Sequence, residues 1–156
     1  MQHAVKKFIL TKDGLDHLRA EYDELVQIKK PQIIRRIQRA REFGDLSENS
    51  EYDAAKEEQS LLEARISQLE DVLPHAQIVR QVTAADFVVI GSTVVVESEG
   101  KVEEFTIVGS MEADPADKKI SNESPVGAAM LGAKVGEEVE VITPIIRAKY
   151  RILEIK

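Results

Sequence analysis

Hydrophobic residues in the first half of the chain recur at steps of three and four residues. Two series follow this spacing: Leu15, Leu18, Tyr22 and Leu25, then Ile33, Ile37 and Ala40 in the first arm, and Ala55, the polar Gln59, Leu62, Ile66, Leu69 and Val72 or Leu73 in the second. The spacing places each series on one side of an α-helix, and the second has the heptad rhythm of helices that wind around each other. The polar segment 44–52 lies between them, so the two stripes bury each other only if the chain doubles back. The pattern predicts an antiparallel coiled-coil hairpin whose arms of about 30 residues reach about 45 Å.

Short signals predict where these helices begin, bend and end. Thr11 has the character of an N-cap for the first helix. Pro31 lacks a backbone amide, so we expect a bend or a break near residue 30. Gly44 is the predicted end of the first arm, and Ser47 is the predicted cap of the second arm. That arm should end near residues 74–77.

The second half of the chain changes from helical to strand-like periodicity. Strands are predicted at 88–90, 93–96, 102–108, 138–142 and 147–155, with a hairpin turn at 98–101. Ser124 and Pro125 have the cap and first-turn signature of a helix, which should run from Val126 to Leu131 and stop at Gly132. We predict an α+β protein with two domains, a coiled-coil hairpin at 1–80 and a small antiparallel-sheet domain with one short helix at 81–156.

Composition narrows the class of protein. Of 156 residues, 43% are hydrophobic and 31% charged, as in soluble globular proteins, and the absence of cysteine excludes disulfides and thiolate metal sites. No apolar run approaches 18 residues, so neither a signal peptide nor a membrane span is expected. These features predict a cytoplasmic protein.

Charge is distributed unevenly around the predicted hairpin end. The net charge of −7 disfavours a general nucleic-acid binder. The segment 29–41 nevertheless has six basic residues and no acid, whereas 42–58 has seven acids and one lysine. Pairing across the hairpin would set Arg39 near Glu51 or Asp53 and Arg35 near Glu57. The alternative is a basic strip below an acidic tip.

Asp45 and Glu48 are the candidate chemical groups, because they stand three residues apart at the predicted tip. Carboxylate oxygens suit Mg²⁺, which prefers six oxygen ligands, so two carboxylates cannot complete a site. The pair is either a solvated helix start, favoured by the helix dipole, or a ligand pair that a partner must complete.

The segment 40–52 followed by Ala54, Ala55 and Lys56 resembles the tip signature of the bacterial Gre transcript cleavage factor family, and its GreA branch most closely. The stretches 120–125 and 135–139 are similar to the family as well, so the resemblance covers essentially the whole chain. It implies a coiled-coil hairpin followed by an FKBP-like domain.

The resemblance also implies a function. In this family the globular domain docks on bacterial RNA polymerase, and the hairpin enters the secondary channel of the polymerase. The tip acids then help to hold a Mg²⁺ jointly with the polymerase, which cleaves the RNA 3′ end of a backtracked transcript. The free protein would bind no Mg²⁺ tightly. By this resemblance the chain is an accessory factor and not an enzyme.

Mapped onto this sequence, the family's acidic pair falls on Asp45 and Glu48. The supporting tip positions fall on Asn49 and Tyr52, and the RNA-facing basic positions are Arg41 and Lys56. The polymerase-docking loop falls on Glu123, Ser124 and Pro125. A departure from the family pattern occurs at 144–146, where Pro-Ile-Ile replaces a glycine turn.

Three other functions are compatible with the architecture. One is an inhibitor that plugs the same channel without stimulating cleavage, although the intact spacing of Asp45 and Glu48 favours cleavage. Another is a prolyl isomerase, but after residue 80 only Phe87, Phe105 and Tyr150 could line an aromatic pocket. The third is a purely structural coiled coil, which would have no specific requirement at the tip.

Overall fold

A computed structural model describes residues 7–43, 49–79 and 86–156. Within them the chain divides into two compact units. The hairpin unit is Leu15–His75, and the sheet unit comprises the described parts of Met1–Gly14 and Ala76–Lys156. The α+β class is as predicted. The prediction of a single boundary at residue 80 left out the pairing of the N-terminal strand with the segment that follows the hairpin.

The hairpin is built from helices α1 (Lys12–Glu24), α2 (Lys30–Glu42) and α3 (Ser50–Val72), followed by a 3-10 turn at Leu73–His75. The ion pairs Lys30–Glu63 and Arg36–Glu58 join α2 to α3, and the partner in α3 moves backward as the position in α2 moves forward. The two helices are therefore antiparallel. Their apolar seam contains Ile33, Ile37, Ala55, Leu62 and Ile66, as the spacing predicted.

The bend or break expected near residue 30 takes the form of a π-helical turn, Leu25–Lys29, between α1 and α2. The amide of Lys30 donates to the carbonyl of Leu25, and helical backbone angles continue through Lys29 and Lys30. Pro31 offers no amide to the preceding turn and its ring crowds the carbonyl four residues back, so a wider turn relieves the conflict. The helical backbone therefore continues through this point.

The sheet unit contains a five-stranded sheet and a separate pair of short strands. Its strands are β1 (Phe8–Leu10), β2 (Ala76–Ile78), β3 (Thr93–Ser98), β4 (Lys101–Val108), β5 (Lys119–Ser121), β6 (Glu138–Ile142) and β7 (Arg147–Ile155). The large sheet has the order β5-β4-β3-β7-β6, with β4 and β5 parallel and the other neighbours antiparallel. The predicted antiparallel sheet thus gains a parallel edge. The strands β1 and β2 form their own parallel pair.

The core of this unit lies between the sheet and helix α4 (Pro125–Met130). Its buried members are Val88, Val94, Val96, Ile107, Met130, Ala133 and Ile152. The predicted strand at 88–90 contributes Val88 to this core but does not form a strand. The predicted turn between β3 and β4 is present, with positive φ at Glu99 and Gly100. Such angles match the twist of the flanking strands.

Thr11 caps α1, as predicted, because its Oγ1 accepts a hydrogen bond from the amide of Gly14 at 3.1 Å. The carboxylate of Glu112 accepts from both the amide and the hydroxyl of Thr11, at 2.8 and 2.5 Å. A Cβ on Gly14 would lie 2.0 Å from Cδ of Glu112, so a larger residue here would force the Glu112 side chain to move. A negative group is also favourable at a helix N-terminus.

Candidate functional site

The predicted metal ligands Asp45 and Glu48 lie outside the described residues, as do Gly44 and Ser47. The structure does describe the two helix ends that flank them. α2 ends at Glu42 and α3 begins at Ser50, so Phe43 and Asn49 bound the segment that carries the acids. The structure therefore describes the two helix ends that support the candidate site, and not the acids themselves.

Asn49 joins the two helix ends. Its Oδ1 accepts a hydrogen bond from the amide of Tyr52 at 3.1 Å, which makes it the N-cap of α3. Its Nδ2 donates to the carbonyl of Ala40, near the end of α2, at 2.7 Å. One side chain thus satisfies an unpaired amide of α3 and a carbonyl of α2. The predicted cap, Ser47, is wrong, because α3 starts after Asn49.

Tyr52 and Arg41 meet on one flank of the hairpin. The guanidinium carbon of Arg41 lies 5.9 Å from the centroid of the Tyr52 ring, within the range of a cation–π contact. Tyr52 is half-buried against the apolar seam and gives the exposed Arg41 an aromatic contact on this flank. The two predicted residues are brought together by the structure.

Lys56 lies one turn beyond Tyr52 on α3 and so shares its flank. Its ammonium donates to Oε1 of Gln59 at 3.1 Å and makes no ion pair with any described residue. Arg41 likewise has no carboxylate partner within the described parts of the chain. This flank therefore presents two cations, Arg41 and Lys56, and their contact with RNA stays a prediction.

The other flank is organised by Arg36, which pairs with Glu51 and Glu58 of α3. The hydrogen bond to Glu58, and next the one to Glu51, raises the pKa of the Arg36 guanidinium. The predicted partners were different: Arg39 with Glu51 or Asp53, and Arg35 with Glu57. In the part of the chain described here, neither Arg35 nor Arg39 has an acidic partner. Charge pairing across this end of the hairpin is present, but at Arg36.

The predicted docking loop is a tightly bonded turn before α4. Ser124 caps α4 by accepting from the amide of Gly127 at 3.1 Å, and its hydroxyl donates to the carbonyl of Ser121 at 2.6 Å. The amide of Glu123 donates to Oγ of Ser121 at 3.0 Å. The side chains of Glu123 and Pro125 are exposed. The loop therefore presents a fixed acidic and apolar pair to solvent.

Across 7–43, 49–79 and 86–156, no cluster of three or more histidine or acidic side chains is placed to hold a metal ion. In the same ranges, no helix has both the length and the apolar character needed to cross a membrane.

Family models match nearly the whole chain. Residues 8–78 match the model described as "Transcription elongation factor, N-terminal" of GreA and GreB, and residues 83–156 match "Transcription elongation factor, GreA/GreB, C-term". The two matches together contain both flanks of the tip and the loop before α4.

Individual relatives match over similar lengths. "Transcription elongation factor GreA" of Thermomicrobium roseum is 45% identical over 98% of this chain and 99% of its own length. The protein of the same description from Thermoanaerobacter pseudethanolicus is 49% identical, covering 97% of this chain and 98% of the relative. A solved structure, "GreA factor homolog 1 (Gfh1)" of Thermus thermophilus, is 30% identical, with a TM-score of 0.46 over 97% of this chain and 99% of that one.

Proposed function

This chain belongs to the GreA/GreB family of transcription elongation factors, and on that premise we propose that it stimulates RNA cleavage by RNA polymerase. In this proposal the hairpin enters the secondary channel of the polymerase and delivers Asp45 and Glu48 to its active centre. The polymerase then cleaves the 3′ end of a backtracked transcript and resumes elongation. The factor acts on a reaction that belongs to the polymerase and is not itself a nuclease.

The observation that supports the proposal best is the pair of Asn49 hydrogen bonds that joins the helix ends on either side of the two acids. Asn49 bonds to both helices within a few residues of the tip, and Ala55 is fully buried in the seam below it. A ligand that must reach another protein's active centre gains from a support of fixed geometry, since small displacements of a reacting group cost large factors in rate. A structural coiled coil would need no such bond at its free end.

The donor set fits Mg²⁺ only in part. Asp45 and Glu48 supply hard carboxylate oxygens, which suit this ion, but two side chains leave most of an octahedral shell unfilled. The remaining ligands would come from the polymerase and the RNA. When bound, Mg²⁺ would stabilise charge that develops on the phosphate oxygens during hydrolysis.

The other tip residues would act on the RNA. Arg41 and Lys56, which have no acidic partner among the described residues, lie on one flank and would attract the phosphates of the backtracked segment. Tyr52 would hold Arg41 in place through the cation–π contact. The transcript's 3′ end would thereby be positioned beside the acids.

The sheet unit would supply affinity for the polymerase. The loop of Glu123, Ser124 and Pro125 is held by three hydrogen bonds and exposes Glu123 and Pro125, so it would dock with little ordering cost. Docking raises the effective concentration of the hairpin at the channel. The sheet unit would thus supply most of the binding to the polymerase, and the hairpin would supply the stimulation of cleavage.

The direct experiment adds the purified protein to a stalled, backtracked polymerase that carries RNA labelled at its 5′ end. We expect shortened labelled RNA and release of 3′ fragments, followed by renewed elongation when nucleotides are supplied. The protein with free RNA and Mg²⁺ should cleave nothing. Binding without stimulated cleavage would instead identify a channel inhibitor, and cleavage of free RNA would identify a nuclease.

A further inference from the structure

A second row of exposed side chains follows α2 toward the tip. Gln32, Arg35, Arg39 and Phe43 succeed each other at steps of three and four residues, so they share one side of the helix. Arg41 lies two residues from Arg39, about 200° around the helix, and therefore belongs to the other flank. We call Arg35, Arg39 and Phe43 the second strip.

Phe43 is 86% exposed at the end of α2, beside a hollow. The hollow is lined by Arg36, Arg39, Ala40, Phe43, Asn49 and Glu51. Asn49 fixes one wall through its two hydrogen bonds, and the Arg36–Glu51 ion pair fixes another. An open aromatic face thus borders a preformed depression.

The arginines of the second strip are available for a ligand. Arg35 and Arg39 are exposed and have no acidic partner within the described ranges, where Glu51 and Glu58 are bound to Arg36. A free guanidinium can donate two parallel hydrogen bonds to a phosphate. The strip therefore combines local positive charge with an aromatic surface, although the whole chain is acidic.

We propose that the second strip is a subsite for the single-stranded transcript. Phe43 stacks on an unpaired base, and Arg39, one helical turn away, binds a neighbouring phosphate. An aromatic face next to arginines is the combination that binds single-stranded nucleic acid without sequence preference. The proposal rests on the proposed function, because the transcript reaches the hairpin only within the polymerase complex. It adds a contact on the flank opposite Arg41 and Lys56.

The test uses the full chain and a backtracked polymerase whose RNA carries 4-thiouridine near its 3′ end. Three substitutions separate stacking from bulk: Phe43→Ala, Phe43→Leu and Phe43→Tyr. Ile34→Ala is the matched control, since Ile34 is an exposed apolar residue of α2 outside the strip. Cleavage rate, photocrosslinking to RNA and competition with wild type for polymerase are measured in parallel.

We expect Phe43→Ala and Phe43→Leu to lower the cleavage rate and crosslinking by about tenfold, as loss of one base stack implies. Phe43→Tyr and Ile34→Ala should stay near wild type, and all four variants should compete normally for polymerase. Unchanged crosslinking and cleavage in Phe43→Ala would overturn the proposal. Loss of competition would overturn it too, because Phe43 would then contact the polymerase. Failure of the wild type to stimulate cleavage would refute the proposed function. The RNA contact would still be tested separately, by comparing the crosslinking of wild type with that of Phe43→Ala.

Discussion

The two units bury their apolar residues in different ways. In the sheet unit, Val94, Ile107, Met130 and Ile152 are completely buried in one shared cluster. In the hairpin, the seam is one row of side chains on each helix, so each contacts mainly its neighbours along the axis. Damage should therefore spread through the sheet unit but remain local in the hairpin. The candidate acids, Asp45 and Glu48, belong to the segment that joins α2 to α3.

The largest stability effect is expected in the sheet core. Ile152→Ala should destabilise the protein by about 3 kcal/mol, because it leaves a cavity at a site that is 0% exposed. Leu153→Ala is the matched control, since the next residue of β7 is 39% exposed and should lose less than about 1 kcal/mol. Urea unfolding followed by circular dichroism measures both. Equal losses would contradict the closed core.

A smaller and local effect is expected in the seam. Ile66→Ala should cost about 2 kcal/mol, and hydrogen exchange should accelerate in α2 and α3 while β3, β4 and β7 keep their protection. Leu61→Ala, at a position 68% exposed on the same helix, should change neither. If Ile66→Ala also exposed the sheet amides, the two units would be one cooperative body and the contrast between them would be wrong.

Much of this contrast is readable from the sequence. The heptad spacing predicted the seam, and the alternation in the second half predicted β6 and β7 with the bounds observed. The pairs β1–β2 and β4–β5 were missed because three-residue strands carry no periodic signal and are defined by distant partners. The π-helical turn was foreseen only as a disturbance at Pro31.

At the tip, spacing identified residues but not their contacts. Several residues between 44 and 50 can cap a helix. Asn49 is favoured because its side chain also donates to the carbonyl of Ala40, and a local sequence pattern cannot reveal this contact with the other helix. Arg36, and not the predicted Arg35 and Arg39, makes the ion pairs to Glu51 and Glu58 because it lies between Ile33 and Ile37, next to the seam. Arg35 and Arg39 point further round the helix. Exposure of Phe43 carried no sequence signal, since a phenylalanine at a helix end is equally compatible with burial.

Two substitutions separate the contributions of the two hydrogen bonds that Asn49 makes between the helix ends. Asn49→Ala removes both hydrogen bonds of the side chain and should destabilise the hairpin by about 1–2 kcal/mol. Asn49→Asp keeps the acceptor for the Tyr52 amide but loses the donor to Ala40, so about half of that loss should remain. Exchange rates of α3 amides and the rate of stimulated cleavage measure the result. An Asn49→Asp protein as stable as wild type would show that the bond to Ala40 contributes nothing, and equal losses in the two variants would show the same for the bond to the Tyr52 amide.

The smallest effect concerns pH. Arg65 donates to Glu21 at 2.6 and 2.8 Å, and this hydrogen bond lowers the pKa of the Glu21 carboxyl. A lowered pKa in the folded state stabilises the protein above the ordinary glutamate pKa of about 4.3, and that contribution is lost as the pH falls through the folded value. Both side chains are partly exposed, so Arg65→Gln should cost less than about 1 kcal/mol at pH 7. Its unfolding free energy should depend less on pH below about 4.3 than that of wild type, and an identical pH dependence would contradict the assignment.

The central claim is tested most directly by Asp45→Asn and Glu48→Gln in stimulated cleavage at low Mg²⁺. Amides keep the shape of the side chains but lose their charge, so cleavage should fall by about a thousandfold while unfolding and competition for polymerase stay unchanged. Raising Mg²⁺ should restore part of the rate, because mass action populates a weakened site. Wild-type cleavage by a normally bound Asp45→Asn protein at low Mg²⁺ would contradict the supply of metal ligands by the tip.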